Sequence, residues 1–225
     1  PFFMTTSIQA SDTELSAVNS ILSSIGQSPV TSLGNVQSTT TTSAAGVATT
    51  VQSYENPEIA LVHNLLMEAN KDVQNEGWHF NQEDHVKITR DGNGEYIIPL
   101  DYLRMDIHEG QVDRTRDVVV RNGKLWDTVH HTGTFTKDFY FDVTRLYPFS
   151  DVPPVIQRYI IASAAVRASV QLVSNIELVK LLTLNKVTTK ANATEYDTQM
   201  GDESFLGWPH ESSYRSYQPY NALAR

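Results

Sequence analysis

The sequence predicts an α+β protein: a helical bundle of about four helices, a β-rich insertion of antiparallel hairpins and an extended C-terminal tail. Three observations carry that prediction. Apolar residues recur at spacings of three and four before residue 75 and again after residue 151, which is the helical period. Between them the period shifts toward two and Asn, Asp and Gly interrupt it, as in hairpins. Beyond Met200 no period survives. The expected organisation is residues 1–75 and 151–200 as the helical bundle domain, 76–150 as the β-rich insertion and 201–225 as a C-terminal docking tail.

The first helix is marked by Leu15, Val18, Leu22 and Ile25 on one stripe, with Ser16, Asn19 and Ser23 opposite. Ser11 and Glu14 have capping-box spacing, and Gly26 supplies the stop. After the turn signal Ser28-Pro29, the uncharged segment from Ser38 to Ser53 reads as a mobile loop. Its small polar residues bury too little to offset chain ordering, about 1–2 kcal/mol per residue. The second helix opens with Asn56 as cap, Pro57 at the first position and Glu58 at the positive dipole end. Its core face is Ile59, Val62, Leu65, Leu66, Ala69 and Val73, and the pattern fails at Asn75 to Gly77. Trp78, Phe80, Val86 and Ile88 then suggest extended chain.

Within the insertion, Asp91-Gly92-Asn93-Gly94 should reverse the chain between HVKITR and EYIIPL, and Asn122-Gly123 fits a type I′ turn, which needs positive φ at both central residues. Leu103, Met105 and Ile107 alternate with Arg104, Asp106 and His108, and Phe139, Phe141 and Val143 mark another half-buried strand. Asp151 and Pro153-Pro154 open a third helix, RYIIASAAVRASVQLV, apolar nearly all round and rich in Ala and Ser, which suits the centre of a bundle. Its charged and amide residues, Gln157, Arg158, Arg167 and Gln171, argue for a buried helix against a membrane span. A fourth helix follows the break at Ser174-Asn175, with Ser174 and Glu177 at capping-box spacing; its stripe is Ile176, Val179, Leu182 and Val187, and Lys180, Lys186 and Lys190 face water. In the tail, Phe205, Trp208, Tyr214, Tyr217 and Tyr220 stand among Gly, Ser and Pro. Aromatics without periodicity call for a surface, either another protein or the chain's own core.

A hydrophobic content of 40% in 225 residues supports a real core. The net charge of -9 argues against direct gripping of phosphates, and the absence of cysteine removes disulfides, thiolate metal sites and cysteine nucleophiles. No targeting signal is visible, and Pro1 to Phe3 are expected to be an expression remnant or a misassigned start. No catalytic constellation assembles: there is no phosphate-cradling glycine loop, HExxH or serine elbow. Asp91 to Gly94 lacks the acidic spacing of a calcium loop. His130 and His131 with Asp127 would diverge as neighbours on a strand, so no metal is expected. The sequon Asn192-Ala193-Thr194 falls on a helix, and the carboxylate pairs Glu83-Asp84 and Asp202-Glu203 read as solvated surface.

The stretch ELSAVNSILSSIGQSPVTSL, residues 14–33, resembles the N-terminal helix and turn of the tail tubular protein A family, the head-to-tail adaptors or gatekeepers of short-tailed phages of the podovirus and autographivirus type. Gly77-Trp78-His79-Phe80-Asn81 is similar to the aromatic segment after that family's second helix. Arg158-Tyr159 with Ala165 and Arg167 resemble its third helix, and SYQPYNALAR its C-terminal end. The resemblance implies a non-enzymatic virion protein of the tail, assembled in the host cytoplasm: a homo-oligomer, a dodecameric ring joining the portal protein to the tail nozzle protein. It further implies seating of the tail fibre protein and a lumen through which genomic DNA passes on ejection without specific binding, with no membrane contact and no cofactor. Portal docking would fall to Phe205, Trp208, Tyr214, Tyr217 and Tyr220. The Ser38 to Ser53 loop is longer than the family pattern. On the residues alone, the alternative is a β-rich binding module recognising a carbohydrate or receptor through Trp126 and His130.

Overall fold

In the computed structural model the described residues are 12–33, 39–42, 48–51, 56–108 and 116–201. Four α-helices and seven strands in three small antiparallel sheets occur among them, an α+β architecture. Helix α1 (Glu14–Ser24) is capped by Thr13, whose hydroxyl accepts from Ser16 N–H. The expected cap Ser11 lies outside the described residues. Ala17, Val18, Ile21 and Leu22 are buried and Leu15 only partly, because the stripe is set by the neighbours α1 meets.

Strands β1 (Thr39–Thr42) and β2 (Ala48–Val51) pair as a hairpin, Thr39 opposite Val51 and Thr42 opposite Ala48. The Ser/Thr-rich segment is therefore not the structureless loop its polarity suggests. Runs of β-branched Thr and Val favour extended backbone.

Helix α2 (Pro57–Asn75) begins as its sequence dictates, with Asn56 Oδ1 accepting from Glu58 N–H at 2.9 Å and Pro57 in the first turn. All six expected core residues are buried, together with Asn70 and Gln74. Extended chain does not start at Trp78: His79–Asn81 form a 3-10 turn, and Trp78 enters the helical core edge-on to Tyr159. Its indole donates to Val73 O, which fixes it there.

The larger sheet has the order β3 (Gln82–Lys87), β7 (Tyr140–Arg145), β4 (Tyr102–Ile107). The last strand is thus central, and the expected β3 hairpin with EYIIPL does not form. Asp91 does reverse the chain, its carboxylate accepting from Asn93 and Glu95 N–H. The returning segment instead lies along a second hairpin, β5 (Val118–Arg121) and β6 (Lys124–Asp127), where Ile98 N–H donates to Gly123 O and Leu125 N–H to Tyr96 O. Asn122 and Gly123 take φ of 52° and 72°, the type I′ requirement. Tyr96, Phe135, Phe139 and Phe141 meet edge-on at the centre of this region's core.

Helix α3 (Pro154–Ala168) packs against α1, α2 and α4 (Ile176–Gly201). Asp151 does not cap it; it belongs to a preceding 3-10 turn, and the Pro153-Pro154 pair sets the start. The chain leaves α3 through a π-turn, Ser169–Val173, and Ser174 adopts a left-handed conformation, φ 54°. Asn175 then caps α4 by accepting from Glu177 N–H, a role the capping-box spacing assigns to Ser174. No helix among the described residues is long and apolar enough to cross a membrane.

Three buried or half-buried carboxamides fasten loops to this helical body, each pairing with both main-chain groups of one residue. Asn19 accepts from Val30 N–H and donates to Val30 O; Gln74 does the same to Tyr147, and Gln157 to Asp12. Replacing Gln74 with Leu leaves the Tyr147 N–H and C=O unpaired in a buried setting. The variant should lose about 2–4 kcal/mol in urea denaturation followed by circular dichroism, while Asn64→Ala, on the exposed side of the same helix, should change stability by less than about 0.5 kcal/mol.

Candidate assembly interface

Helix α4 carries apolar residues on two sides. Ala193 is buried in the helical core and Val179 and Leu182 are half-buried, whereas Ile176, Leu181, Leu184 and Val187 keep 62–71% of their surface exposed. The stripe Ile176, Val179, Leu182, Val187 is therefore not a core stripe: its middle two residues are half-buried and its ends, Ile176 and Val187, are exposed. Val170 and Val173 in the π-turn extend the bare surface, and a groove of about 720 Å³ runs between the turn and the first turns of α4.

The base of the α3–α4 hairpin is tied to α2 by charge. Glu76 accepts from the Tyr159 hydroxyl and from Lys190 Nζ, each at 2.8 Å, and Lys190 lies 5.6 Å over the Tyr159 ring. The bond to Glu76 raises the Lys190 pKa, and burial, reinforced by Glu76, raises that of Tyr159. Arg167 bonds Asp72, and His63 Nε2 lies 3.1 Å from Glu14 across α1 and α2. Where α4 ends, Asp197 accepts from His79 N–H.

The junction between the helices and the sheet is polar and closed. Asn81 donates to Gln74 O and Arg145 O and accepts from Trp78 N–H. Tyr147 donates to Glu83, and its pKa is raised by burial and then by that carboxylate. Nearby, Arg145 donates to the Tyr102 hydroxyl, and that bond is the main cause of the raised Arg145 pKa.

Trp126 and His130 are each engaged within the β5–β6 tip. The Arg121 guanidinium lies 5.6 Å over the Trp126 ring and Gly133 backs it. His130 is not on a strand, as expected, but in a tight turn after β6, its Nδ1 2.9 Å from Asp127; His131 follows with φ 52°. The fully buried Asp127 accepts from Val129 and His130 N–H and pairs with Arg116. Burial opposes its ionisation, but the bonds from His130 and Val129 outweigh that and hold its pKa below the usual carboxylate range. On the sheet, His85, at φ 59° within a β-bulge, stacks on His108 with ring centroids 3.6 Å apart, and Asp142 accepts from His85 N–H and lies 2.8 Å from His108 Nδ1. Among the described residues no three His, Cys, Asp or Glu side chains converge to hold a metal ion. Phe205, Trp208, Tyr214, Tyr217 and Tyr220 lie outside the described residues. Sequence reasoning did not single out Gln74 and Asn81 and saw Gln157 only as an interruption, although an amide at a core position of a helix is the signal for such a clasp.

A bare apolar helix face beside a closed, salt-bridged body is the build of a protein that works by packing against other subunits. The sequence profile described as tail tubular protein matches residues 15–203, most of the chain, and the chain belongs to that family. It is accordingly a structural component of a phage tail, built to assemble with other virion proteins. No curated protein shows significant similarity to it.

Because the folded-state pKa of Asp127 is depressed, its stabilisation is present above the ordinary carboxylate pKa of about 4 and is lost as pH falls through the depressed value. Trp126 fluorescence should report loosening of the β5–β6 tip on acidification below about pH 4. Asp127→Ala should loosen it already at pH 7, by about 2–3 kcal/mol, a value discounted for the partly hydrated Arg116 and His130.

Proposed function

We propose that the chain is a head-to-tail adaptor: a ring, dodecameric as in the family it belongs to, between the portal protein and the tail nozzle protein, forming part of the DNA ejection channel and seating the tail fibre protein. The observation that carries this reading is the family match across residues 15–203, which spans the helices and the sheets together. In this reading residues 1–75 and 151–200 act as the helical body of the ring, 76–150 as the part that touches neighbouring components, and the tail as the portal anchor through Phe205, Trp208, Tyr214, Tyr217 and Tyr220. The net charge of -9, turned toward the lumen, would let duplex DNA pass without sticking. Assembly in the host cytoplasm suits a chain without cysteine.

Native mass measurement of the chain alone and mixed with its portal protein tests the reading. A ring-sized complex with the portal is expected, and absence of any complex overturns it. Gly201 closes α4 and is buried, so the tail is best removed from Asp202 onward. That truncation should abolish portal binding while leaving the thermal melt of the core unchanged; retained binding contradicts the tail assignment.

A further inference from the structure

We infer that the outer face of α4 is a self-association surface that docks, head to tail, on the α1–α2 side of a second copy of this chain. This rests on the ring-forming reading and assigns the contact within it. Val170, Val173, Ile176, Leu181, Leu184 and Val187 are 39–71% exposed and together leave on the order of 600 Å² of apolar surface bare. That is the upper end of what monomers expose and most of the ~800 Å² each partner gives a standard interface. A helix apolar on both sides is a helix buried on both sides.

The spacing names the shape of the occupant. Ile176, Lys180, Leu184, Val187 and Ala191 succeed one another at intervals of four, four, three and four, the seam of a helix that packs on another helix, with the Lys180 stem lying along it. Charge names the occupant's face. Of the six charged residues from Arg158 to Lys190 five are basic, and of the eight from Asp12 to Glu76 seven are acidic. Helix α3 packs against both α4 and the α1–α2 pair and so stands between the basic, apolar helix and the acidic pair. Arg167 with Asp72 and Lys190 with Glu76 already join these two sets inside one chain. Lys180 and Glu68 are likewise engaged within the chain, with Glu177 and Arg167, so among the described residues the half-buried Lys186 on one side and the exposed Glu58 on the other are left to join the two sets between chains. Two different complementary faces generate a heterologous contact, which repeats head to tail, into a ring where the rotation closes, and does not make a two-fold dimer.

The test compares the full chain with the double variant Leu184→Lys, Val187→Lys by native mass and sedimentation, alone and with the portal protein, after circular dichroism confirms an unchanged melt. Both positions are exposed, so folding should be unaffected. Self-association should weaken roughly a hundredfold or more, two apolar contacts being replaced by buried charge. As a second measurement, Leu184→Cys combined with Asn64→Cys on α2, in a chain with no other cysteine, should give with a short bismaleimide a ladder beyond the dimer. Crosslinking of Leu184→Cys alone into dimers would mean an α4–α4 contact and overturn the head-to-tail assignment. Undiminished assembly of the lysine variant overturns the surface while leaving the ring reading standing. A strictly monomeric wild type, with and without portal, overturns both. A monomer whose Leu184→Lys, Val187→Lys variant exposes residues 202–225 to protease assigns the face to the chain's own tail and likewise overturns the inference.

Discussion

The described structure depends on amide side chains that stand in for backbone. Gln74, at the end of a helix whose apolar residues are otherwise conventional, pairs with both main-chain groups of Tyr147, where the chain returns from the sheet to the helices. Asn81 adds bonds to Gln74 O and Arg145 O, so the exit from α2 and the re-entry toward α3 are held together by two side chains. A buried N–H or C=O costs about 1–3 kcal/mol when left unpaired, and no regular element could satisfy these because helix gives way to sheet at this point. The carboxamides supply there the main-chain partners that neither helix nor sheet provides.

That junction separates two kinds of packing. On the helical side small residues in α3 allow close approach, and Trp78 and Phe149 fill the ends. On the sheet side three phenylalanines and Tyr96 meet edge-on, and the Tyr96 hydroxyl accepts from Phe139 N–H and donates to Lys137 O, with its pKa raised chiefly by burial. Neither core continues into the bare face of α4. A helix packed on one side only is a poor contributor to the stability of an isolated chain and a good one to an assembly, where the remaining face loses water at the moment of contact.

Much of the helical architecture was legible. The Asn56-Pro57-Glu58 cap and the α2 core face stand as the residues predict, and the Asn122-Gly123 turn follows from positive φ at both positions, because these features are decided by residues a few positions apart. What lay further apart was not legible. β3 pairs with β7 and not with the strand-like EYIIPL that follows it, since register is chosen by which surface completes the aromatic core. The Thr-rich hairpin follows from β-branching, which the polarity of the segment conceals. His130, expected on a strand, sits in a turn organised by a buried Asp127, which depends on Arg116 eleven residues away.

By itself the sequence determined the family, the helical segments, the Asn56 cap with Pro57 behind it and the apolar character of α3, all of which are local or read from composition. Only the tertiary structure decided which side of α4 meets α3 and which stays bare. A stripe read from spacing carries no record of which neighbour it will meet, and the outward set, Ile176, Leu184 and Val187, is distinguished only by the absence of a partner among the described residues.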